Sequence, residues 1–116
     1  MANSDAELIQ RTLDGDDTAF GFLVDKYKGA VHALAYRKTG NFHTAEDITQ
    51  DTFLRAYQKL HTLKDWRYFP GWLYRIASRL CLMWHRNRRV VPQPLETVDS
   101  GHMDALAWVK HTDQRG

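Results

Sequence analysis

Residues 68–89, YFPGWLYRIASRLCLMWHRNRR, hold five arginines, five aromatic side chains and no acid. Guanidinium groups pair bidentately with phosphates, and aromatic faces accept unstacked bases. Helical spacing puts Phe69, Leu73, Ile76, Ala77, Leu80 and Trp84 on one side, which is the set a core requires. Trp72, Arg75, Arg79 and Arg86 fall on another side, with Arg88 and Arg89 at the helix end. The preceding Lys64, Trp66, Arg67 and Tyr68 extend that second surface. A reader of closed duplex has little use for so many rings, whereas single-stranded or locally opened DNA uses both rings and charges. The competing reading is a solvated basic helix whose tryptophans are all core. Trp84 is read as core, and Trp72 straddles the boundary.

The charge pattern of the whole chain supports a local anionic partner. Residues 1–65 carry eight Lys/Arg against ten Asp/Glu, residues 66–89 six arginines and no acid, and residues 90–116 two bases against four acids. The net charge of +2 hides this segregation. Nucleic acid and an acidic membrane surface are both partners of suitable sign. At 116 residues and 43% hydrophobic content the chain fits one small domain. Cys81 is the single cysteine, so no intrachain disulfide forms, and the opening MANSDAELIQ lacks a secretion signal. A cytoplasmic protein is expected. No stretch approaches the roughly 20 apolar residues that cross a bilayer.

Catalysis and metal binding find little in the sequence. Cys81 and His85 lie four apart and could face one ion, but a zinc site needs about four ligands and no second pair is spaced for it. His32, His43, His61, His102 and His111 are scattered, and neither a phosphate-binding glycine loop nor a nucleophile motif occurs. Neither an enzyme nor a cofactor is expected.

Four helices must position the basic, aromatic surface. Ser4 opens a capping box with Glu7 ahead of Leu8, Ile9 and Leu13, and Gly15 stops that helix. A second helix starts near Asp17, carries Phe20, Leu23, Val24, Tyr27, Val31, Leu34 and Ala35 at steps of three and four, and ends at TGN, residues 39–41. TAED at 44–47 reads as a further capping box, opening a helix that runs to about Leu60. Its predicted buried stripe is Ala45, Ile48, Thr52, Phe53, Ala56 and Leu60. Asp47, Gln50, Asp51, Leu54 and Gln58 are predicted to share one outward face, acidic and amide-rich with an apolar residue in its middle. That face suits either solvent or docking to a basic partner. HTLKDWR breaks the helical period as a loop, and Pro70 fits the first turn of the fourth helix. The expected fold is an all-α compact bundle of about four helices.

Two blocks, AEDITQDTFLRAY and FPGWLYRIASRLCL, in this order and at this separation, resemble the second conserved region of bacterial sigma factors of the extracytoplasmic-function (ECF) type. The resemblance runs from about Leu8 to Arg89 and assigns residues 1–89 to a region 2-like helical domain. It implies a unit that binds the clamp coiled coil of the largest subunit of core RNA polymerase and that recognises and opens the promoter −10 element. By this likeness Asp47, Gln50, Asp51 and Leu54, with Arg55 beside them, correspond to the polymerase-binding helix. Residues 61–71 correspond to the segment that captures a flipped non-template base, and Trp72, Arg75, Arg79 and Arg86 to the helix that holds the −10 strand. Family members are commonly held inactive by an anti-sigma factor covering these surfaces. Other readings are a plain protein-interaction module and an autonomous helical DNA-binding regulator.

The chain also departs from the family pattern. Ser78-Arg79 stands where members often have Arg-Asn, and Met83 lies near a usual Asp. A guanidinium thus replaces an amide able to meet a base edge, which implies a different base preference. After Arg89, residues 90–116 read as a polar, proline-containing linker or tail. The region 4-like second domain of full members is therefore expected to be absent. Ser100-Gly101-His102-Met103 resembles a junction left by cloning, while Met103, Leu106, Ala107 and Val109 could form one amphipathic turn.

Overall fold

A computed structural model describes residues 4–90 of the chain, with side chains through Arg88. Four helices occur in it: α1 (Asp5–Leu13), α2 (Asp17–Thr39), α3 (Phe42–Lys59) and α4 (Phe69–Val90). Two short 3-10 turns, Leu60–Thr62 and Trp66–Tyr68, lie between α3 and α4 where sequence breaks the helical period. The all-α reading therefore holds, and no strand occurs among the described residues. The expectations for the tail, including the turn built on Met103, Leu106, Ala107 and Val109, lie outside the described residues.

The helix boundaries follow local chemistry. Ser4 Oγ accepts from the Glu7 amide at 3.3 Å, as its capping sequence requires. Asp16 caps α2 by accepting from Thr18 N at 3.1 Å, and the Arg11 guanidinium at 2.9 Å holds the Asp16 carboxyl below its ordinary range. Gly40 ends α2 in the left-handed region, φ 71°, with its amide donating to Tyr36 O at 2.8 Å. The start of α3 corrects the sequence reading. Asn41, three residues before Thr44, is the cap and accepts from the Thr44 amide at 2.9 Å. Asn41 follows Gly40 directly, so one turn ends α2 and starts α3 without the capping box.

The core is assembled around α2, which packs against α1, α3 and α4. Leu23, Val31 and Ala35 of α2 are fully buried, facing Leu8 of α1, Ala45 and Ala56 of α3 and Phe69, Leu73 and Ala77 of α4 within one cluster. Leu8 and Ile9 are buried as expected, but Leu13 at the end of α1 is 45% exposed. The α3 stripe predicted as core, Ala45, Ile48, Thr52, Phe53, Ala56 and Leu60, is buried throughout. Thr52 meets the cost of burial by donating to Ile48 O at 2.7 Å.

Polar ties fix the helices relative to one another. Asp5, nearly buried, accepts from Lys26 Nζ at 2.7 Å and from the Tyr27 hydroxyl, joining α1 to α2. Burial first, and the Asp5 carboxylate second, push the Tyr27 phenol well above its ordinary value. Tyr57 of α3 donates to Asp17 at 2.6 Å, and this bond raises its phenol as well. Cys81 is buried and burial raises its thiol, whereas His85 faces out and Nε2 donates to the Lys38 carbonyl at 2.5 Å. The two residues that the sequence allowed to share an ion are therefore turned to different partners.

Candidate polymerase and nucleic-acid interface

The first candidate surface is the outer side of α3. Leu54 stands nine residues beyond the buried Ala45, which places it diametrically opposite the core, and it is 44% exposed. Gln50 and Gln58 flank it in the open, and Asp47 is partly buried. Asp51 departs from the outward placement expected of it, being only 7% exposed. The reason is angular: three residues from Ile48, Asp51 is turned only about 60° from the core stripe. Arg55, one turn further along the same flank, is also partly buried. Asp47, Asp51 and Arg55 are all engaged within the fold. The presented crest of α3 is therefore Asp47, Gln50, Leu54 and Gln58, with Asp51 and Arg55 supporting it from below.

Beside this crest lies a cleft of about 440 Å³ lined by Lys28, Gly29 and His32 of α2 and Phe42, Glu46, Thr49 and Gln50 of α3. Phe42 is 53% exposed and meets the His32 ring edge-on at 4.6 Å and the Tyr36 ring at 5.9 Å. Sequence reasoning missed this aromatic corner. The available signal was an aromatic residue directly after the Asn41 cap, one that no apolar period demanded.

The second candidate surface joins the loop to α4. Trp66 is 47% exposed and Tyr68 68% exposed, so neither is a core residue. Trp72 is half-buried and its ring meets Phe69 at 5.9 Å, which settles its boundary position. Trp84 packs against the core as read, and the Arg88 guanidinium lies 4.7 Å from its ring centre. Lys64, Arg75, Arg79 and Arg86 are exposed. Among the described residues none of Arg75, Arg79 and Arg86 has an ion-pair partner. The side chain of Arg89 lies outside the described residues. Leu82 was overlooked: three residues after Arg79 and four before Arg86, it is 55% exposed in the middle of the arginine stripe.

Arg67 differs from the other arginines. Its Nε and Nη2 donate to the two oxygens of Asp65 at 3.0 and 2.8 Å. That bond lowers the Asp65 carboxyl and raises the Arg67 guanidinium from their ordinary values. The same carboxylate accepts from the Arg67 amide at 3.0 Å and so caps the Trp66–Tyr68 turn. The surface thus combines outward rings on the loop with unpaired guanidinium groups on α4, a combination able to stack a base and hold phosphates.

A family model described as sigma-70 region 2 matches residues 23–90, from within α2 to the end of α4. The chain belongs to this family. Its region 2 domain is similar to ECF RNA polymerase sigma factor SigW of Bacillus subtilis (strain 168), 45% identical over 74 residues, which are 64% of this chain and 40% of that protein. It is also similar to ECF RNA polymerase sigma factor BldN of Streptomyces coelicolor, 41% identical over 75 residues, covering 64% of this chain and 28% of the relative. RNA polymerase sigma-H factor of Pseudomonas aeruginosa is 37% identical over 73 residues, covering 63% and 38%. The chain thus spans less than half the length of each of these relatives. Among its described residues no helix is long and apolar enough to cross a membrane.

Proposed function

We propose that this region 2 domain joins core RNA polymerase through the crest of α3 and captures an opened −10 strand with the loop and α4, acting in transcription initiation. The observation that carries the reading is the exposure of Trp66 and Tyr68 on the loop together with Arg75, Arg79 and Arg86 on α4, which have no ion-pair partner among the described residues. Aromatic faces at this density serve separated bases, and the unpaired guanidinium groups serve the phosphates between them. The role is one of binding and of trapping an open conformation of DNA, and no covalent step is assigned to any residue. The cytoplasm, where polymerase works, is the corresponding compartment. An anti-sigma factor is the natural further partner, since Leu54 and Phe42 offer exposed apolar anchors at and beside the crest.

Leu54→Glu tests the docking half. Leu54 is opposite the core, so the melting temperature should stay at the parent value while affinity for core polymerase falls by about 2 kcal/mol, roughly thirtyfold. Titration of labelled core enzyme reads this directly. Unchanged affinity would remove α3 from the interface.

A further inference from the structure

Arg67 stands between Trp66 and Tyr68 in the chain and shares their exposure, yet its charge is met within the chain by Asp65. The Arg67 side chain is 71% exposed and its guanidinium still forks onto the carboxylate, with Nε at 3.0 Å from Oδ1 and Nη2 at 2.8 Å from Oδ2. Asp65 itself is held in place, because Oδ1 also caps the turn through the Arg67 amide and its carbonyl accepts from Tyr68 N at 2.9 Å. A fork between residues two apart, one of them already fixed by a cap, closes at little cost in entropy. Any strand approaching Arg67 also meets the negative charge of Asp65. On the proposed reading of this surface, we propose that Asp65 is a positioning residue that withholds Arg67 from the phosphates, so that Trp66 and Tyr68 engage the strand by their faces without a phosphate contact from the arginine between them.

The consequence is a division of labour. The loop selects an unstacked base by its face, and Arg75, Arg79 and Arg86 of α4 hold the backbone. A free arginine between Trp66 and Tyr68 would attract phosphate wherever it lay and would favour closed duplex as well as open strand. Neutralising the cation between the two rings leaves Trp66 and Tyr68 to select by stacking.

The test measures the salt dependence of binding with the full 116-residue chain on core polymerase, using a fluorescein-labelled duplex with ten unpaired non-template nucleotides. Asp65→Asn keeps a capping side chain but removes the charge, so the turn persists and Arg67 is released. The slope of log K against log salt should steepen by about 0.7, which is a roughly fivefold gain for each tenfold dilution of salt. Arg67→Ala alone should leave the slope of the parent unchanged, and Arg67→Ala combined with Asp65→Asn should return the slope to the parent value. A slope that Arg67→Ala lowers by about 0.7 in the parent overturns the inference, as does an Asp65→Asn slope equal to the parent's. The single Arg67→Ala result decides the matter even if Asp65→Asn lowers the melting temperature. Arg75→Ala separates this inference from the reading beneath it: it should lower the slope whatever Asp65 does. If it does not, strand binding by α4 falls and the role of Asp65 falls with it.

Discussion

Phe69→Ala is expected to lower the stability of the domain by about 3–5 kcal/mol, Phe69 being the largest fully buried side chain among the described residues. Phe69 is wholly buried and is the first residue of α4, directly after the Trp66–Tyr68 turn. Its ring lies 5.5 Å from Tyr27 of α2 and 5.9 Å from Trp72. Truncation removes the hydrophobic transfer energy, opens a cavity among residues that can only partly collapse, and deprives Tyr27 of an edge contact and Trp72 of a tilted one. The loop and the start of α4 hinge on this ring, so the exposed tryptophan should lose its fixed position together with the stability. Urea unfolding followed by circular dichroism measures the change. A loss below about 1 kcal/mol would mean that Phe69 does not anchor the loop to the core.

Asp51→Arg comes next, with an expected cost of about 3–5 kcal/mol through loss of the fold itself. The helical period of α3 alone puts Asp51 on the outward face, where reversal of its charge would repel a basic partner and leave the domain folded. Its 7% exposure changes that expectation. Asp51 is already engaged within the fold, and an arginine there brings both excess volume and the wrong sign of charge. Lost polymerase binding in this variant would therefore report unfolding, which is why Leu54→Glu is the clean probe of docking. Thermal unfolding of Asp51→Arg separates the two cases: a melting temperature at the parent value would return Asp51 to the surface.

The difference between Asp51 and Leu54 shows how far the sequence could be followed. A period of 3.6 residues locates the centre of each face, and every residue assigned to the centre of the α3 core stripe is buried. The edges of a face depend on how closely neighbouring helices approach, which is a tertiary quantity. Asp51 and Arg55 are at such an edge, and so is Trp72. The cap of α3 was misplaced for a local reason: both Asn41 and Thr44 are good capping residues, and the left-handed turn at Gly40 favours the earlier one. On α4 the rings and arginines were legible because the core accounts for only one side of that helix. The Asp65–Arg67 fork was not legible, since a pair two residues apart on a helix would not meet, and it is the capping position of Asp65 ahead of the 3-10 turn that brings them together. Phe42 and Leu82 were missed because an exposed apolar side chain leaves no periodic signature.

The central claim, that exposed rings of this domain take hold of separated bases, is tested most directly by Trp66→Ala. Trp66 is half-exposed on the loop and lies outside the core cluster, so its removal should leave the melting temperature unchanged. With the chain bound to core polymerase, affinity for a pre-opened −10 bubble should fall by about 1–3 kcal/mol, roughly 5- to 150-fold, while affinity for the closed duplex stays at the parent value. Equal losses on bubble and duplex, or no loss on either, would contradict the account and leave the surface a basic strip that attracts phosphate.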